Sequence, residues 1–346
     1  MKVVILIILA VIGLLVVIEI GLRSLFGFGK PLIYIGDSQI GYLLAPNQST
    51  RRFGNQIEIN EFSMRSSSIA KIPASSTLRV LLLGDSIANG GWWTDQNNTI
   101  SSLIMNSLKS AIADKGSRGA GEQGSRGEKE NSPQLHLDKY EQVEVLNASA
   151  NSWGPRNELA YLQRFGNFDA QVVVLLINTD DLFAHTPTAL PVGRDRNYPD
   201  TKPPLGLIEV WQRYVSKQQP IPELKAIQEE PGDRVGVNLE AIRQIQAITR
   251  QSHSKFLLAM TPLLRELGKP GSRDYEIQAR QRLSEFTKTQ QIPYVDFLPL
   301  FNAAPNAPAL YHDSIHMNLQ GNQFVSSVIL RSLLEILGLK NPNNPV

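Results

Sequence analysis

Apolar and polar positions alternate along this chain in two rhythms. The first apolar stretch, Val3 to Ile18, is unbroken and continues through Ile20 and Leu22 around a single Glu19. At about 1.5 Å of rise per residue such a helix can cross a hydrocarbon layer about 30 Å thick. A cleaved signal peptide is the competing reading, but the apolar run is longer than a signal core and no small-x-small site follows it between Glu19 and Lys30. Residues 24–77 lack long periodic segments and carry turn signals at Gly41, Pro46-Asn47 and Gly54-Asn55, with one short alternating strand from Gln56 to Asn60. From Leu78 onward the pattern becomes regular. Strand-like runs at 78–83, 142–147, 171–177, 255–260 and 292–295 are separated by helical spacing at 99–113, 155–165, 235–251, 274–289 and 319–337. Gln171 to Ile177 shows no polar alternation, as expected of a strand buried on both faces. The order βαβαβαβα predicts an α/β fold, a parallel sheet of about five strands with helices on both sides.

This pattern divides the chain into an anchor over 1–23, a linker and small subregion over 24–77, and a main domain over 78–340. Two stretches interrupt that domain. Residues 115–132 repeat Gly-Ser-Arg-Gly and contain almost nothing apolar, so they read as a disordered surface insertion. Residues 185–233 are proline-rich and irregular, a long loop expected to pass over the active-site face.

Composition narrows the function classes. With 42% hydrophobic residues the chain can build a real core, and 34 basic against 32 acidic residues leave no electrostatic footprint for nucleic acid, which is not expected as a partner. The absence of cysteine removes disulfides, thiolate metal sites and cysteine nucleophiles. No histidine or carboxylate cluster has metal-ligand spacing, and neither metal nor cofactor is expected.

The candidate chemistry sits where the first sheet strand stops. Leu-Arg-Val-Leu-Leu-Leu ends abruptly in Gly84-Asp85-Ser86, which would present a hydroxyl at the carboxyl end of that strand. A serine is inert until a base reaches it, and Asp313-Ser314-Ile315-His316, just ahead of the last helix, offers an imidazole with a carboxylate three residues away. Gly36-Asp37-Ser38 repeats the tripeptide, but Pro46 and the polar residues after it leave no room for the helix that should follow a first strand. His312 competes as base only weakly, because sequence neighbours in a turn point apart. Asp85 reads as a hydrogen-bond acceptor of its loop. Trp92, Trp93 and Trp153 are the only pocket-like aromatics near these motifs.

With Gly84-Asp85-Ser86-Ile87 and Asp313-x-x-His316, followed by Asn318 and Gly321, the chain resembles the SGNH/GDSL hydrolase family over about residues 78–337. The resemblance implies a flavodoxin-like three-layer sandwich, a serine esterase or acyl hydrolase activity, and Ser86, His316 and Asp313 as nucleophile, base and acid. It also implies an oxyanion hole built from the Ser86 amide, a glycine after the second strand and an asparagine after the third. Here Ser152 stands at the glycine position. Asn178-Thr179-Asp180-Asp181 places Asp180 at the asparagine position, where an ionised carboxylate could not donate a hydrogen bond. Three resolutions follow: Asp180 is protonated, Asn178 takes the role, or activity is altered. The expected substrate is an ester-bearing small molecule, lipid or glycan, met outside the cytoplasm by a membrane-anchored enzyme. An O-acyltransferase for an extracytoplasmic polysaccharide and a catalytically impaired binding module are the other two readings; anchored relatives with a Trp-Gly-Pro second block resemble proteins of bacterial exopolysaccharide O-acetylation.

Overall fold

The computed structural model describes residues 1–118 and 140–339. In chain order its elements are α1 (Lys2–Phe26), β1 (Tyr34–Asp37), β2 (Gly41–Leu44), β3 (Gln48–Arg52), β4 (Asn55–Ile59), β5 (Thr77–Gly84), α2 (Ser86–Asn89), α3 (Ile100–Arg118), β6 (Gln142–Ser149), α4 (Pro155–Phe165), β7 (Val172–Asn178), α5 (Gly206–Val210), α6 (Pro222–Gln228), α7 (Arg234–Gln251), β8 (Lys255–Thr261), α8 (Asp274–Thr289), β9 (Tyr294–Asp296), α9 (Phe297–Ala303) and α10 (Leu319–Ile336). They form two units. One comprises Met1–Ser67, Trp92–Gln96 and Thr186–Glu230; the other comprises Ser68–Gly91, Asn97–His185 and Pro231–Val346.

The larger unit is the α/β sandwich. Its five parallel strands lie in the order β6-β5-β7-β8-β9, the flavodoxin-like order in which the first strand sits one place in from the edge. β5 and β7 are buried at every position, which is why Val172 to Ile177 of β7 runs apolar without alternation; in β5 the buried Arg79 is accommodated by pairing with Glu144 at 2.6 Å. Leu78, Val80 and Leu82 of β5 join Ile100, Ile104 and Leu108 of α3, Phe297 and Phe301 of α9, and Val325, Ile329 and Leu333 of α10 in one apolar core. α4 and α7 pack together as part of the opposite layer, with α8 beside α7. The strands and helices anticipated in 78–337 are present within a few residues. α9, which no periodicity announced, starts where Asp296 caps it by accepting from the Leu298 amide at 2.9 Å. α3 runs to Arg118, past the expected start of the low-complexity insertion, and the rest of that insertion lies outside the described residues.

The smaller unit draws a boundary the sequence did not suggest. Two antiparallel pairs, β1–β2 and β3–β4, pack with Thr186–Glu230, so the stretch expected as a long irregular loop contributes two short helices and belongs with the N-terminal segment. Tyr198 stacks against Tyr34 and Tyr42 at centroid distances of 5.1 and 5.0 Å, and Glu209 pairs with Arg52 at 2.7 Å. None of the α1 residues is buried, although the helix is long and apolar enough to cross a membrane.

Candidate active site

Three loops leave the carboxyl ends of β6, β5 and β7, the three adjacent strands at one side of the sheet. In an open α/β sheet the crevice outside those ends, where the strand order reverses, is where ligands bind. The β5 loop is the tightest. A Cβ on Gly84 would lie 2.6 Å from the Leu176 carbonyl oxygen and 2.7 Å from Ala88 Cβ, so only glycine lets β5 turn into α2 against β7. Asp85 caps α2 through its Oδ1, which accepts from the Ile87 amide at 2.8 Å. Its Oδ2 accepts from Asn178 Nδ2 at 2.7 Å, tying this loop to the end of β7. Asn147 Nδ2 donates to the Ala88 carbonyl at 2.7 Å and fixes the other side of α2 to β6. Ser86 therefore emerges, half-buried, from a turn held on both flanks.

The structure brings His316 to this serine. Its Nε2 lies 2.8 Å from Ser86 Oγ, and its Nδ1 lies 2.7 Å from Asp313 Oδ2. An ionised carboxylate only accepts, so the ring proton belongs on Nδ1, and Nε2 is left to accept from the Ser86 hydroxyl. The spacing Asp-x-x-His works because the loop is a closed turn. Asp313 Oδ1 accepts from the Ile315 and His316 amides, each at 2.8 Å, while the His312 amide donates to the His316 carbonyl at 2.8 Å. Burial alone would push the Asp313 carboxyl up, but these bonds outweigh it and hold the group below its ordinary value. His312 is exposed, and it is the ring of His316 that meets Ser86. Below the loop Gly321 is required, because a Cβ there would lie 2.2 Å from the Leu310 carbonyl oxygen.

Ser152, on the β6 loop, has φ 57, the left-handed region that glycine favours. Its backbone thus has a conformation open to glycine without strain, and the position tolerates serine. Trp153 beside it is 1% exposed and packs on Tyr161 at 5.6 Å; it is core, not pocket lining. Trp92 and Trp93 belong to the smaller unit, where Trp92 stacks on Phe53 at 5.1 Å.

The end of β7 is where the sequence left a choice. Asn178 is committed: its Nδ2 donates to Asp85 and its Oδ1 accepts from the Asp180 amide at 2.7 Å. Asp180 is exposed, with its carboxyl 3.5 Å from Arg265. Burial pushes that carboxyl above its ordinary value, against the pull of Arg265. Arg265 also pairs with Glu276.

Two further groups of side chains carry no sequence signal. Beneath the Ser86 turn, Asp85, Glu158 and Asp181 form a set of buried carboxyls. Burial raises all three; repulsion from Asp85 adds to the rise at Glu158 and Asp181. Among the described residues, neither carboxyl oxygen of Glu158 has a hydrogen-bond partner. Alongside, Glu266 accepts from Thr179 Oγ1 at 2.6 Å and pairs with Arg280 at 2.9 Å, while Arg280 reaches Asp296 at 2.8 Å. This network ties the turn after β7 to the ends of β8 and β9. Its members are scattered over 179–296, and only folding brings them together.

Such a site on such a sheet defines a class, the SGNH-type hydrolases. The GDSL-like Lipase/Acylhydrolase family matches residues 82–324, and the chain belongs to that family, whose enzymes act on ester bonds. No curated protein matches the chain. Among solved structures it is similar to Axe2, an acetylxylan esterase from Geobacillus stearothermophilus, at 14% identity over 78% of this chain and 98% of that one, with a TM-score of 0.45. It is also similar to an alpha/beta hydrolase enzyme from the metagenome of Lake Arreo, Spain, at 15% identity over 78% and 99%, with a TM-score of 0.42.

Proposed function

We propose that the protein hydrolyses a carboxylic ester through Ser86, His316 and Asp313, by way of an acyl-enzyme. The observation that carries this is the pair of contacts, 2.8 and 2.7 Å, that links hydroxyl, imidazole and carboxylate in series. Ser86 Oγ attacks the ester carbonyl carbon as its proton passes to His316 Nε2. The imidazolium, stabilised by Asp313, returns that proton to the departing alcohol, and water then attacks the acyl-serine by the same base to release the acid. The Ser86 and Ser152 amides take the developing oxyanion. Asp180 is the third member of the hole and can donate to it only in its protonated form, the form toward which partial burial displaces it against the pull of Arg265.

The substrate is an O-acylated glycan or a lipid, met on the outer side of a membrane by an enzyme held there by α1. That helix is exposed from Lys2 to Ile18, and a spanning role gives its apolar side chains a solvent. A cysteine placed at residue 2 and another in the sheet unit, labelled from one side of sealed vesicles, reads the orientation; labelling of both from the same side rules out a single span.

Labelling by a fluorophosphonate tests the triad. Wild type should react at Ser86, whereas Ser86→Ala should not react and His316→Ala should react at least ~10³-fold more slowly. A chain that ignores the reagent is an impaired binding module, not an esterase. Asp180 has its own test: deprotonation as pH rises removes a donor, so turnover should fall with rising pH in wild type, and Asp180→Asn should flatten that fall. If Asp180→Asn has the wild-type profile, Asp180 is not the donor. Supplying a glycan acceptor with the donor ester distinguishes hydrolysis from acyl transfer by its product.

A further inference from the structure

The smaller unit carries apolar surface in an unusual place. Trp211, Tyr214 and Val215, on the π-helical turn that continues α5, are 60, 64 and 55% exposed. Large aromatics left in water at this density mark a surface that meets something.

Their position is fixed relative to α1. The Glu19 carboxylate accepts from the Gly206 and Leu207 amides, at 2.7 and 3.0 Å, so it caps α5 from within the apolar helix and also pairs with Arg23. Arg23 donates to the Pro204 carbonyl at 2.6 Å, and the Gly29 amide donates to Glu209 at 2.6 Å. Aromatic contacts extend this attachment: Phe28 meets Tyr214 at 6.3 Å and Phe53 at 5.7 Å, and Phe26 meets Phe53 at 5.7 Å. From Val3 to Ile20 the apolar part of α1 measures about 27 Å at 1.5 Å per residue, close to the hydrocarbon thickness of a bilayer. Glu19 and Arg23 then stand at the hydrocarbon boundary, and the Trp211–Val215 turn lies at headgroup level, where tryptophan and tyrosine rings are favoured.

A cavity of about 570 Å³ opens at the same level, with Arg23, Lys30 and Arg51 in its wall beside Ile20 and Leu25. Three cations next to apolar side chains at a membrane boundary match the chemistry of an anionic phospholipid, phosphate against guanidinium and ammonium, acyl chain against α1.

We propose that this end of the smaller unit is seated in the bilayer interface, with Trp211, Tyr214 and Val215 among the headgroups and an anionic phospholipid headgroup in the cavity walled by Arg23, Lys30 and Arg51. The inference rests on the reading of α1 as a membrane anchor. It makes the unit a collar that grips the leaflet instead of a flexible stalk.

The test uses the full chain in vesicles of phosphatidylcholine, with and without phosphatidylglycerol. Because the chain has no cysteine, Trp211→Cys and Val215→Cys each carry a single fluorescent label. Both labels should be quenched by nitroxides borne on lipid and shielded from aqueous iodide. Labels as open to iodide as the free dye, in protein that resists alkaline carbonate extraction, would overturn the collar while leaving the anchor intact. Protein released by carbonate would instead overturn the anchor, and the collar with it. Shielded labels that lipid nitroxides do not quench, together with disulfide dimers formed on oxidation of the same cysteine variants left unlabelled, would assign the face to a second copy and overturn the proposal. For the cavity, a nitroxide on the phosphatidylglycerol headgroup should quench more than one on phosphatidylcholine. The preference should be about five-fold for each cation engaged, and Lys30→Ala with Arg51→Ala should cut it by that factor for each cation removed; equal quenching by the two lipids in wild type would overturn the headgroup site.

Discussion

The chain contains Gly-Asp-Ser twice, and the two copies have different fates. Gly36-Asp37-Ser38 closes the hairpin between β1 and β2. Asp37 Oδ1 accepts from the Gln39 and Ile40 amides, and glycine and serine are exposed. Gly84-Asp85-Ser86 ends a strand buried at every position; its glycine is squeezed between β7 and α2, and its aspartate caps a helix while bonding across to β7. In both copies the carboxylate serves the local turn. What differs is what the chain has built around the hydroxyl, since among the described residues only the second one has an imidazole at hydrogen-bond distance. The lesson is that a nucleophile is made by its strand and its distant partners, and the tripeptide alone says little.

Substitution can break this contrast, and the largest effect belongs to the hydroxyls. Ser86→Ala should cost ~10³-fold or more in ester turnover while Ser38→Ala costs nothing measurable, as a nitrophenyl ester assay would read. Equal losses would mean the contrast is wrong. The glycines come next. Gly84→Ala must displace backbone and should destabilise by roughly 1–3 kcal/mol in a denaturant titration. Gly36→Ala meets only Ala189 Cβ at 3.1 Å and should cost less. Ser152→Gly relieves a left-handed serine and should raise stability by up to about 1 kcal/mol.

The smallest effects are in pH dependence, and they have opposite signs. Glu158 lies beneath Asp85 with its pKa raised by burial first and by Asp85 second, so the folded state holds a proton that the unfolded state gives up as pH climbs past 4.5. Its contribution is complete below that value and is lost as pH rises; Glu158→Gln should remove this part of the slope. Asp233 is the reverse. Its hydrogen bonds from Arg282, the Gly236 amide aiding, bring it down to about 2, so it supports the fold above 3.8 and stops doing so as pH falls through about 2. Asp233→Asn should flatten thermal stability in that acid window and leave the neutral range alone.

Much of the sandwich could be read from the sequence because its signals are local. Apolar runs ending in glycine, helical spacing and caps such as Asn318, which accepts from the Gly321 amide, each act within a few residues. The Ser86–His316 contact spans 230 residues, yet it was foreseeable because the sheet topology brings the ends of its loops together. The buried carboxyls and the Glu266–Arg280 network were not, because charged residues that will be buried look the same in sequence as charged residues on a surface. The smaller unit escaped for another reason. Its strands are four or five residues long and its third part, Thr186–Glu230, is separated from the first by most of the sheet.

That interleaving affects how the chain is made and how it can be cut. Glu209 is synthesised more than 150 residues after Arg52, so the N-terminal pairs must wait for the ribosome to deliver the segment that completes them. A soluble fragment begun at residue 78, the natural choice from hydropathy, would keep Tyr198 and Glu209 but discard Tyr34, Tyr42 and Arg52, leaving an aromatic face bare and Glu209 with Arg213 but without its buried Arg52 partner. Trimming that also removes Thr186–Glu230 and joins its flanks with a short linker is the cleaner route to an isolated catalytic half.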